Sequence, residues 1–189
     1  MKRRTLLQWL AATAAIVPLE RVRVWAQPRD LTPASIDLLH EIAPTALPAS
    51  LGADRLRRIV DGFVEWTRGY REGVPMNHGY GHPRLQRTAA TPVPRYVEQL
   101  TALDADARAT GGPWRSLDLD TRRGLLDAAF TKAGVRNLPQ RPNGSHVVAD
   151  LIAFYFRSSE ANDYCYNALI NREVCRPIQI TTKKPAALG

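Results

Sequence analysis

The chain has 189 residues, 44% of them hydrophobic and 23% charged, with a formal net charge of +8; that is one ordinary domain with room for a core. Five Lys/Arg and one acid fall in residues 1–26, so this segment carries +4 and the remainder +4. The remainder mixes both signs and has no basic run with interleaved aromatics, which argues against nucleic acid as a partner.

The chain opens "MKRRTLLQWLAATAAIVPL". Lys2, Arg3 and Arg4 form a positive start, Leu6 to Leu19 an apolar stretch, and Val24 and Ala26 the small residues before a cut at Gln27; this is the layout of a secretory signal. The run is shorter than the ~20 residues needed to cross a bilayer, and Pro18, Glu20 and Arg21 end it, so no transmembrane span is expected. Arg3-Arg4 followed by Thr5-Leu6-Leu7-Gln8 resembles the twin-arginine address of bacteria. Residues 1–26 are therefore expected to be a twin-arginine-type signal peptide, read by the twin-arginine export machinery, which moves chains already folded. The expected location is the periplasm.

After a linker over Gln27 to Asp30, "LTPASIDLLHEIAPTALP" starts a helix with Thr32 as cap and Pro33 in the first turn. Ile36, Leu39 and Ile42 give its apolar face, and Pro44 with Pro48 is expected to close it. In "DRLRRIVDGFVEWTRGYREG", Leu56, Ile59, Val60, Phe63, Trp66 and Tyr70 recur at helical spacing, with Gly73 and Pro75 as the stop. From Val74 to Pro94 the chain is rich in Gly, Pro, His and Thr, an ordered loop or surface wrap of a length that tends to be functional. A helix over Arg95 to Thr110 follows, ended by Gly111-Gly112-Pro113.

Asp120 is then expected to cap "TRRGLLDAAFTKAG", with Leu125, Leu126, Ala129 and Phe130 inside and Gly134 at the exit. "NLPQRPNGS" links to "HVVADLIAFYFRSS", apolar around most of its circumference and so destined for the middle of a bundle. A short helix over Asn162 to Ile170 carries Cys165. The expectation is an all-α, single-domain bundle of five or six helices with long Pro/Gly-rich connections. It spans residues 27–178 and is followed by a disordered tail over 179–189.

Cys165 and Cys175 lie ten residues apart. In an oxidising periplasm the pair is expected to form a disulfide, stabilising by about 2–3 kcal/mol if unstrained. "NHGYGHP" places His78, Tyr80 and His82 together. Two imidazoles four apart bind zinc well on a helix, but Gly79, Gly81 and Pro83 preclude one here; a tight loop, or one pressed on a partner, is the better expectation. His146 opens the apolar helix as a cap or packing group, and Ser158 is read as a terminator or cap. No nucleophile elbow, dinucleotide fingerprint or P-loop occurs in the sequence, so no catalytic residue and no bound cofactor is expected. Trp66 and Tyr70 read as core, with an exposed edge available to a partner.

The twin-arginine start, "LTPASIDLLHEIAPTALP", "FVEWTRGY", the Tyr96–Leu103 helix, "SLDLDTRRGLLDAAF" and the aromatic apolar helix follow in an order that resembles the gluconate 2-dehydrogenase subunit 3 family. "NHGYGHPRL" and "SSEANDYCYNALINREVCR" are more distinctive than that pattern. The resemblance implies a non-catalytic accessory subunit that stabilises and co-exports a periplasmic flavin-dependent sugar or alcohol dehydrogenase large subunit. A c-type cytochrome often completes such a complex, so FAD and haem c are expected in the partner subunits. Two rival readings stand beside it: an independent periplasmic enzyme or metal-binding protein using His78 and His82, and an envelope-binding helical module. The substrate of the complex is not readable from these residues.

Overall fold

The computed structural model describes residues 29–76, 87–167 and 186–187. Six α-helices lie among them: α1 (Pro33–Ala46), α2 (Gly52–Arg68), α3 (Val93–Thr110), α4 (Leu119–Lys132), α5 (Val147–Phe156) and α6 (Ser159–Tyr166). Short 3₁₀ turns at Ala49–Leu51 and Trp114–Ser116 join α1 to α2 and α3 to α4. The all-α expectation holds: the described residues contain no strand, and an isolated antiparallel bridge pairs Pro75 with Arg87. No helix among the described residues is long and apolar enough to cross a membrane. The expected signal peptide and most of the expected tail lie outside the described residues.

Two helices organise the bundle. α1 packs against α2, α3, α4 and α5, while α5 packs against α1, α2, α3 and α6. The ten-residue α5 buries Val147, Val148, Ala149, Asp150, Leu151, Ile152, Ala153 and Tyr155, as a helix apolar on nearly all sides must. α2 is the opposite kind, burying one stripe (Leu56, Ile59, Val60, Phe63, Val64 and Thr67) and turning its arginines outward. Thr67, the polar member, satisfies its hydroxyl by donating to the Val64 carbonyl at 2.6 Å. Trp114, fully buried in the second 3₁₀ turn, joins this core, as do Tyr96, Leu100 and Leu103 of α3.

Caps decide where the elements begin. The Thr32 hydroxyl accepts from the Ser35 amide at 3.2 Å with Pro33 in the first turn, as expected. Ser158 does the same for α6, accepting from the Ala161 amide at 3.0 Å. α4 begins two residues earlier than expected, because the cap is Asp118, whose carboxylate accepts from the Thr121 amide and hydroxyl at 2.9 and 2.6 Å. Those bonds hold the Asp118 carboxyl below its ordinary range, and Asp120 sits in the first turn. Pro44 does not close α1; the helix runs through it to Ala46. α2 stops at Gly69, earlier than the Gly73–Pro75 stop, so Tyr70 lies past the helix end. α4 packs by an edge: Leu126 is buried, whereas Leu125, Ala129 and Phe130 are half-buried. α6 starts at Ser159 and ends at Tyr166, with Asn167 in the left-handed conformation that stops helices.

Candidate functional site

The residues singled out as partner contacts lead to one end of the bundle, where α2 finishes. Trp66 stacks on Phe63 with ring centroids 5.5 Å apart and meets the edge of Tyr70 at 5.6 Å. Phe154 of α5 backs the same rings, 5.7 Å from Phe63. Phe63 is fully buried, but Trp66 and Tyr70 are half-buried. The stack therefore starts in the core and ends at the surface. Partial burial, and then the nearby Glu72 charge, push the Tyr70 phenol up, so it stays protonated.

Immediately beyond Tyr70 two short backbone segments pair to form a stem. The Gly73 amide donates to the Thr88 carbonyl and the Thr88 amide to the Val74 carbonyl, both at 2.9 Å. The Thr88 hydroxyl adds a bond to Val74, and the Thr91 amide donates to the Glu72 carboxylate at 3.1 Å. Gly73 has φ +75, a conformation this turn can give to glycine without strain. His78, Tyr80 and His82 fall in 77–86, outside the described residues, so the zinc reading of that pair does too. The stem nonetheless fixes where the segment leaves and rejoins the fold: beside Trp66 and Tyr70.

Between the stem, the end of α2 and the residue after α5 lies a groove of about 530 Å³. Trp66, Tyr70, Val74 and Met76 supply an apolar floor, and Arg71, Arg141 and Arg157 stand around it. Val74 and Met76 are 42% and 48% exposed, unusual for large apolar side chains placed together. The arrangement suits protein recognition: aromatic and Met anchors surrounded by arginine, the residue types enriched at interfaces. No group of three or more His, Cys, Asp or Glu among the described residues is placed to hold a metal ion.

A second polar cluster was not anticipated. Asp150 is fully buried in α5. Its carboxylate accepts from the Tyr96 hydroxyl at 2.5 Å and from the Gly144 and Asn143 amides at 2.7 and 3.0 Å. Burial pushes the Asp150 carboxyl up while these three donors pull it back, and Tyr96, buried beside it, is pushed up strongly. Gln99 bridges the same loop, its amide nitrogen donating to the Ser145 carbonyl and its oxygen accepting from the Val147 amide. Arg95 donates to the Gly144 carbonyl at 2.9 Å. Gly144 is required here, with φ +82 and a Cβ position 3.2 Å from Pro92 Cβ. All of this is architecture: it straps the loop before α5 onto α3.

His146 ends that strap. Its Nδ1 accepts from the Val148 amide at 3.2 Å, capping α5 as expected, and its ring lies edge-on to Phe130 at 5.0 Å. Burial lowers its pKa from 6.5 to about 4, so it is neutral near pH 7. His40, half-buried on α1, contacts Asp61 of α2 at 3.2 Å. Cys165 is exposed on α6, and Cys175 lies outside the described residues together with the expected disulfide. Arg3, Arg4, Ala26 and Gln27 lie there as well. No protein-family model, no curated protein and no solved structure matches this chain.

Proposed function

We propose that this chain is a non-catalytic accessory subunit that docks on, stabilises and co-exports a periplasmic flavin-dependent sugar or alcohol dehydrogenase. The observation that carries the docking role is the Trp66–Tyr70 stack emerging beside exposed Val74 and Met76, with Arg71, Arg141 and Arg157 around the groove. An apolar centre surrounded by positive charge fits a partner surface with an apolar plug and acidic surroundings. The twin arginines at Arg3 and Arg4, and the family resemblance in the order of segments, support the choice of partner and of compartment. In this reading FAD and haem c belong to the partner subunits, and His78, Tyr80 and His82 are further candidate contacts by sequence.

Affinity capture of the tagged chain from periplasm tests the proposal. The expected result is co-purification of a flavoprotein lacking its own export signal, lost on Arg3→Lys/Arg4→Lys. Recovery of the chain alone at native expression overturns it.

A further inference from the structure

A second cleft, lined by none of the residues of the α2 groove, lies between α3 and α4 and measures about 410 Å³, within the range of small-molecule sites. Its walls are mainly apolar: Ala102 and Leu103 from α3, Ala128 and Ala129 from α4, and Ala133 at the end of α4. His146 also lines it, and this histidine is 98% buried, with a relative exposure of 2%.

The capping bond fixes the tautomer of that ring. Nδ1 accepts from the Val148 amide, and a neutral imidazole accepting at one nitrogen carries its proton on the other. Nε2–H therefore donates; it has no acceptor among the described residues, and it is not among the unbonded side-chain atoms sealed from solvent, so it can be reached from the cleft that His146 lines. Gln99, the neighbouring amide, bonds Ser145 and Val147 instead. A water or a ligand oxygen in the cleft can therefore accept from Nε2–H.

Charge narrows what would fit. Glu98, Asp106 and Lys132 also line the cleft, a net of one negative charge that disfavours an anion. From these features we infer that the α3–α4 cleft binds an uncharged, largely apolar molecule whose carbonyl oxygen accepts from His146 Nε2–H. Aryl ketones and esters have this chemistry. The site is independent of the docking role proposed above and stands or falls separately from it.

The test uses the full chain, isotope-labelled for NMR, with 2-acetonaphthone as the probe and 2-naphthoate as its anionic counterpart. The ketone is expected to shift the His146 ring and the methyls of Ala102, Ala129 and Ala133 at submillimolar concentration, and naphthoate to bind more weakly. His146→Asn keeps a capping acceptor for α5 but loses the Nε2 donor, and should weaken ketone binding about tenfold. Ala102→Trp and Ala133→Trp, both at exposed positions, should abolish binding with the melting temperature unchanged. Shifts centred elsewhere, tryptophan variants that bind like the parent, or an undiminished affinity in His146→Asn would overturn the inference. So would contacts in the ligand-free chain showing that another segment of the same chain fills the cleft.

Discussion

The two ends of α5 solve opposite problems. At its start, the Asp150 carboxylate and the Gln99 amide are each bonded at both ends, and their partners come from three stretches of chain: the 143–145 loop, Tyr96 of α3, and the first residue of α5. Near its other end, Phe154 backs a stack of rings that the fold only half covers, and Arg157 stands exposed beside it. Satisfied burial fixes a single arrangement; partial burial of Trp66 and Tyr70 leaves contact area unused. The first end holds the molecule together, and the second is where another molecule would gain most by touching it.

The comparison breaks most sharply at Asp150. Asp150→Ala leaves the Tyr96 hydroxyl and the Gly144 and Asn143 amides without their acceptor, and should lower the unfolding free energy by about 3–5 kcal/mol in a urea titration. Partner capture by whatever folded protein remains should persist. Next in size is acid. His146 falls from 6.5 to about 4 on folding, so the unfolded chain takes up the proton first. Its contribution is complete above about pH 6.5 and is lost as pH falls toward 4, a change of ~3 kcal/mol. Denaturation at a series of pH values should show that slope in the parent and a flatter one in His146→Asn.

Gly144→Ala probes the same strap through the backbone. The positive φ and the close approach to Pro92 predict a loss of about 1–2 kcal/mol, read as a lower melting temperature. The smallest stability effect belongs to the other end. Arg141→Glu combined with Arg157→Glu changes two exposed side chains and should alter stability by less than about 0.5 kcal/mol, yet abolish partner capture. A stability loss as large as that of Gly144→Ala would show that these arginines serve the fold instead.

Much of this was legible because local chemistry wrote it. "VVADLIAFYF" could only be a buried helix, and Thr32-Pro33 could hardly be anything but a helix start. Where two residues offer the same local chemistry, the reading slipped: Asp118 and Asp120 both suit a cap, and the Thr121 hydroxyl as a second donor favours Asp118. Pro44 misled for a related reason. It removes one amide and does not by itself end a helix whose apolar face is held by Ile42 and Ala43.

The Asp150 cluster was illegible for a different reason. Its partner Tyr96 is 54 residues away in sequence, and Gln99 is 46 from Ser145. Periodicity reports on neighbours along a helix and says nothing about such pairs. One signal was present: a lone acid inside an otherwise apolar helix, just after an Asn-Gly turn, has to find donors somewhere. Of the proposed contact residues, Trp66 and Tyr70 were legible as a stripe, while Arg141, Arg157 and Met76 join them only through the tertiary fold.

The stem at Gly73–Val74 and Arg87–Thr88 has a further consequence. Because Gly73 and Val74 pair backbone to backbone with Thr88, the two ends of the twelve positions between Val74 and Arg87 are held together, and changing the length of that stretch costs the bundle little more than re-closing a loop. The bundle can then act as a fixed handle for interchangeable inserts. Related chains could diverge in what they grip while sharing one scaffold, and the same graft point is open to anyone wishing to give this protein a new target.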